Sequence, residues 1–165
     1  MIEKFMQDVA ALGLGAAPDA VQLSKVGSLM RELARNADWR ALQLRQAGGG
    51  EELLYPLHAV PAQPALYLVS DGPGVASAPH EHGTWAVIVG LSGNELNVLY
   101  ERDPDTAATV RPRSRRDIRA YDVLYLPADA IHATCAMDDV PTFHLHLYGK
   151  PLNELPPYAV RCHQT

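Results

Sequence analysis

The chain has 165 residues, 47% of them hydrophobic and 20% charged, the make-up of an ordinary globular domain large enough to bury a core without disulfide or metal staples. Its formal charge of −5 argues against nucleic acid or an anionic membrane as the main partner. Its two cysteines, Cys135 and Cys162, form no C-x-x-C unit and are too few for a disulfide scaffold, so a reducing, cytoplasmic setting is expected. The opening "MIEKFMQDVA" carries acidic residues and lacks the apolar stretch of a signal peptide. No apolar run approaches the roughly 20 residues needed to cross a bilayer.

The first third reads as helical. From Pro18 to about Ala47, apolar residues recur at Leu23, Val26, Met30, Leu33 and Ala37, the spacing of one helix face, and Asp19 just after Pro18 is a suitable opening. "AGGGEE" (47–52) ends that pattern. Short β-like runs follow, separated by Gly, Pro, Asp and Asn: "ELLYPLHAV", "ALYLVS", "TWAVIVGL", "ELNVLYE", "YDVLYLP", "IHATCAM" and "TFHLHLYG". Such spacing predicts an all-β sandwich or barrel. Arg111, Arg113, Arg115 and Arg116 in "VRPRSRR" have no interleaved aromatics and read as a solvated loop or strand end, not as a binding patch. The expected organisation is a single domain over 1–165, with a helical segment at 1–48, a β-barrel at 49–152 and a tail at 153–165.

Seven histidines are present: His58, His80, His82, His132, His144, His146 and His163. On a strand, alternation puts His80 and His82 on one face, continued by Thr84 and Ala86, with Val87, Val89 and Leu91 on the other. That geometry suits two metal ligands, and equally two surface histidines. His132 follows a strand and a proline turn, from which a barrel could bring it to the first pair. In "TFHLHLYGKPL", His144, His146 and Tyr148 share one face and Phe143, Leu145 and Leu147 the other, as for a strand lining a polar pocket. No third ligand for a second metal is evident beside His144 and His146. His58 is placed at a pocket mouth or facing solvent. Trp85 and Cys135 read as buried apolar residues, and His163 near the terminus has no assigned role.

Two separated stretches resemble the cupin superfamily. "GVASAPHEHGTWAVIVGLSG" is similar to its first motif, with Gly74, His80, His82 and Gly93 in register. "YDVLYLPADAIH" is similar to its second, with Pro127 and His132 in place and Tyr121 where a glycine usually opens the motif. The resemblance implies a jelly-roll β-barrel, a metal held by His80, His82 and His132, and a homodimer as the expected assembly. Ala86 stands where most cupins carry a glutamate ligand, which leaves three neutral imidazoles and a metal with its full charge. That replacement resembles the thiol dioxygenase branch, which includes cysteine dioxygenase and 3-mercaptopropionate dioxygenase. "TFHLHLYGKPL" is similar to the late strand of those enzymes. His146 and Tyr148 match their histidine and tyrosine beside the metal, and His144 stands in place of a serine.

The resemblance therefore implies an iron(II) enzyme that uses O2 to convert a small thiol to a sulfinate, with Tyr148, His146 and His144 as catalytic residues. Nickel, zinc or another divalent ion could occupy the same imidazoles, because ligand type alone does not select iron. The tyrosine–cysteine cross-link of the mammalian enzymes has no counterpart, since its position is Ala86. The arginine that holds the substrate carboxylate in cysteine dioxygenases corresponds to Leu57, which puts cysteine itself in question and points to an uncharged thiol. Two further readings remain: a cupin dioxygenase acting on another small substrate such as a diketone, and a non-catalytic metal-binding sensor.

Overall fold

The computed structural model describes residues 1–104 and 109–155; Cys162, His163 and most of the expected tail lie outside the described residues. Two α-helices open the chain, α1 (Ile2–Ala11) and α2 (Ala20–Asn36). Asp19 caps α2 through a reciprocal pair: its carboxylate accepts from the Gln22 amide, and the Gln22 side chain accepts from the Asp19 amide. The helical stretch is shorter than its apolar spacing predicts. Ala37 is extended, Asp38 opens a separate 3-10 turn at Trp39–Leu42, and the Trp39 indole donates to the Ala34 carbonyl. The chain thus turns back on α2 and does not prolong it to Ala47.

Nine strands follow: β1 (Glu52–His58), β2 (Ala65–Asp71), β3 (His80–Glu81), β4 (Ala86–Ser92), β5 (Glu95–Arg102), β6 (Val110–Ile118), β7 (Val123–Leu126), β8 (Ile131–Ala136) and β9 (Thr142–Tyr148). They form two antiparallel sheets, ordered β1-β2-β9-β4-β7 and β3-β8-β5-β6. This is the β-barrel expected from the punctuation of the sequence. The two faces of the five-stranded sheet bury different things. Leu66, Leu68, Val87, Val89, Leu145 and Leu147 pack outward with Trp85 against Phe5, Val9, Val26 and Met30 of the helices. Ala65, Tyr67, Val69, Ala86, Ile88 and Tyr148 point the other way, into the barrel, with Ile118, Leu124 and Leu126. The central strands are buried on both faces because one is roofed by helices and the other closed by the second sheet, and the barrel face also carries the polar Asp71, His144 and His146.

Three local expectations change. His80 and His82 do not share a continuous strand with Ala86. β3 ends at Glu81, Gly83 takes a left-handed backbone (φ +68°), and β4 begins in the other sheet. Only glycine accepts that turn cheaply, so the chain crosses between sheets there. "VRPRSRR" is not a loop or a strand end: it lies within β6, which pairs with β5 alone and keeps its four arginines exposed. An edge strand lined with cations resists pairing with a second chain. Finally, Leu57 packs with Tyr55 against the helix-facing core and so does not line the barrel interior.

Candidate metal centre

β3 and β8 are paired so that His80 stands opposite His132, and His82 follows one residue past the strand end. The imidazoles converge: each of the three offers a nitrogen, and these atoms lie within 4.8 Å of one another. His82 Nε2 and His132 Nε2 are 3.2 Å apart. Two nitrogens bonded at about 2.1 Å to one ion sit roughly 3.0–3.4 Å apart, depending on the angle between the bonds, so this spacing is already that of ligands. His132 is almost fully buried, His82 is buried and His80 is half-buried, leaving the group open to water on the His80 side.

Hydrogen bonds orient two of the rings. His80 Nδ1 donates to the Ala78 carbonyl at 2.9 Å, and His132 Nδ1 donates to Asn97 Oδ1 at 2.8 Å, which frees each Nε2 as a lone-pair donor. Asn97 is fixed in turn, since its Nδ2 donates to Glu95 Oε1 at 2.7 Å and both residues are buried. Burial pushes His82 down to about 3, with His80 adding to the effect. Burial likewise holds His132 well below the usual imidazole range, reinforced by His82, His80 and His146. Both rings are neutral at pH 7, the form that binds a metal without first losing a proton.

Replacing Asn97 with alanine is expected to weaken metal binding by about 10–100-fold, the usual cost of losing a group that orients a ligand. Competition with a chelating indicator measures it, and an unchanged affinity would show that the Asn97 bond does not serve the metal.

Ala86 lies inside the barrel directly opposite Tyr148 in the β4–β9 register, so the aromatic ring and not a carboxylate stands beside the imidazoles. The Tyr148 and His82 rings pack edge to face with centroids 5.1 Å apart. Tyr148 and His146 share a hydrogen bond of 2.9 Å between the hydroxyl and Nδ1. Burial first, then the Glu52, Glu95 and Asp71 carboxylates and Tyr67, raises Tyr148 well above the ordinary phenol range. His146 is held neutral mainly by burial.

His144 behaves otherwise. It is fully buried 6.1 Å ring to ring from His146, takes no part in the Tyr148 bond, and faces Asp71 and Glu95. His58 is half-buried at the end of β1 with a buried, unpartnered Nε2, and Trp85 packs in the helix-facing core as expected. Cys135 is partly buried. The sequence reading missed Asp71, Glu95 and Asn97. The E-x-N at the start of β5 was the available signal, since alternation puts Glu95 and Asn97 on the face that Leu99 continues.

A cavity of about 650 Å³ lies on the helical side, lined by Trp39, Leu44, Leu68, Leu91, Tyr121 and Phe143 among others, and includes none of the histidines. Converging donors, not cavity size, therefore mark the centre. Among the described residues no helix is long and apolar enough to cross a membrane.

No protein-family model matches the chain, and no curated protein is similar to it. Solved structures do share its fold. A cupin superfamily protein from Desulfitobacterium hafniense is 18% identical, with 83% of this chain and 97% of that one covered and a TM-score of 0.53. A conserved protein with a double-stranded β-helix domain from Klebsiella pneumoniae is 12% identical, with 73% and 88% covered and a TM-score of 0.54. A Thermus thermophilus protein is 16% identical, with 67% and 95% covered and a TM-score of 0.52. The fold is the double-stranded β-helix that these structures share, and its three converging histidines form a group that could bind a metal.

Proposed function

We propose that the protein is an iron(II)-dependent dioxygenase of the thiol dioxygenase type, which adds both atoms of O2 to a small thiol to give the sulfinate. The observation that carries this reading is the donor set: three converging imidazoles, with Ala86 in place of a carboxylate and Tyr148 against His82. With no anionic protein ligand, an ion bound there keeps its charge and favours an anionic ligand such as a thiolate. Iron(II) would supply open coordination positions and a conduit for the four electrons that the thiol sulfur loses to O2 on becoming a sulfinate.

The chain's own residues contribute binding and protons. His80, His82 and His132 would hold the metal through their converging ring nitrogens, those of His80 and His132 already aimed by hydrogen bonds. Tyr148 stays a phenol, so it serves as a hydrogen-bond donor toward the reacting atoms and not as the base that ionises the thiol. His146 fixes the tyrosine hydroxyl. The thiol proton leaves toward water on the half-buried His80 side.

Substrate charge follows from what surrounds the centre. Among the described residues every arginine is exposed except Arg31, whose Nε donates to the Tyr121 carbonyl at 3.0 Å, so none is buried to receive a carboxylate. A thiol without a carboxylate fits best. The same feature keeps a neutral diketone as the second reading.

The test is oxygen uptake by anaerobically purified, iron(II)-loaded protein, offered cysteine, 3-mercaptopropionate, cysteamine and a small diketone. Uptake is expected with a thiol, matched by an equivalent of sulfinate, and highest for one lacking a carboxylate. Uptake with the diketone alone would overturn the thiol reading, and no uptake with a full metal site would leave a metal-binding sensor.

A further inference from the structure

Beside the histidine centre the barrel encloses a second cluster: Asp71 at the end of β2, Glu95 at the start of β5 and His144 on β9. One donor atom from each lies within 4.8 Å of the other two, and all three side chains are more than nine-tenths buried. Such a group needs partners, because an unpaired buried polar atom loses its hydration without compensation and a buried charge loses more. Asn97 donates to Glu95, and the Asp71 and Glu95 carboxyls bond each other, but three polar atoms of the cluster lack a partner. Neither nitrogen of His144 has a hydrogen-bond partner, and neither does Asp71 Oδ1.

His144 Nδ1 lies 3.7 Å from Glu95 Oε2, too far for a hydrogen bond. Nor do the two form an ion pair, since burial pushes His144 down to about 4 against the pull of Asp71 and leaves it neutral. Two donors at about 2.1 Å from a tetrahedral ion stand roughly 3.4 Å apart, so a small closure would let both bind one cation.

We propose that Asp71, Glu95 and His144 form a second metal site, which takes a divalent first-row transition cation.

Charge and chemistry agree on the ligand. Two carboxylates balance a divalent ion, so the occupied site is neutral in a place where net charge is costly. The mixed oxygen and nitrogen donor set suits manganese, iron, cobalt or zinc. Burial, together with the Glu95 carboxyl beside it, pushes Asp71 up to about 7, and burial raises Glu95 as well, the response of acids crowded together without a cation. Glu52, opposite Asp71 in the β1–β2 register, adds a further negative charge near the cluster. Glu95 has an oxygen for each duty, Oε1 accepting from Asn97 and Oε2 facing His144. The two centres are therefore joined by the chain Glu95, Asn97, His132.

The site is independent of the thiol reading, and metal stoichiometry tests it without any substrate. Purified protein is stripped with a chelator, equilibrated with cobalt(II) and desalted, and bound metal per chain is measured by mass spectrometry. Unmodified protein is expected to hold two ions, His132→Ala one, His144→Leu one and the double variant none. One ion per unmodified chain overturns the proposal, whatever the folding of the variants, and so does a His144→Leu chain that still holds two. Protein that holds two ions yet oxidises no thiol would refute the proposed activity and leave this site standing.

Discussion

His132→Ala is expected to lower metal content by one ion per chain and to reduce thiol-dependent oxygen uptake to the rate of buffer. Of the three converging histidines, His132 is the most buried and the only one with a buried side chain fixing its tautomer. Its loss leaves His80, half-buried and tethered only through the Ala78 carbonyl, to bind with His82 alone. Two imidazoles and no carboxylate cannot keep a divalent ion against water and chelator. The substitution also strands Asn97 Oδ1, at a further cost of about 1–3 kcal/mol in stability, so circular dichroism and a thermal melt accompany the metal analysis. A folded variant with full metal content and full uptake would place the active metal elsewhere.

The second large effect is expected at Tyr148. Tyr148→Phe keeps the ring against His82 and Tyr67 and removes only the hydroxyl that bonds His146. Turnover should fall by about 10²–10⁴-fold, the range for losing a positioned proton donor, with metal content unchanged. Because burial raises the phenol above its ordinary range, Tyr148 stays protonated through neutral and mildly alkaline pH. The pH profile of oxygen uptake by the unmodified, iron(II)-loaded protein should accordingly show no limb from tyrosine ionisation there. Steady-state kinetics separates this role from a structural one: a drop in kcat with little change in KM supports it, whereas a rise in KM alone assigns Tyr148 to substrate binding.

The convergence of His80, His82 and His132 was legible because these residues sit in two short patterns whose spacing survives any change in the surrounding strands. The turn between them was not. Alternation along "HEHGTWA" assumes one strand, whereas Gly83 bends the chain from one sheet to the other. Leu57 was misplaced for a related reason. In β1 the apolar Leu53, Tyr55 and Leu57 share one face, and whether an apolar face looks into the barrel or toward the helices is decided by the helices packed against it. Asp71 stands before "GPG" and resembles an ordinary turn acid; the pairing of β2 with β9 sets it beside His144, and closure of the barrel brings both to Glu95. Contacts between the two sheets are set by register and closure, which local spacing does not encode. β6 was obscured by composition, since an edge strand facing water needs no apolar alternation.

Tyr121, in the place where the second histidine motif usually opens on glycine, holds a left-handed backbone at φ +69°. For a residue with a side chain that conformation costs roughly 1–2 kcal/mol. It is offset by tethers from two directions: its amide donates to the Gly90 carbonyl at 2.8 Å, and Arg31 of α2 grips its own carbonyl while the Arg35 guanidinium lies 5.3 Å above its ring. Two residues later the chain enters β7, on its way to His132. The helical layer is thus more than a roof over apolar strands. It acts as a latch on the corner from which the chain runs through β7 to His132, tying the opening helices to the approach to the histidine cluster.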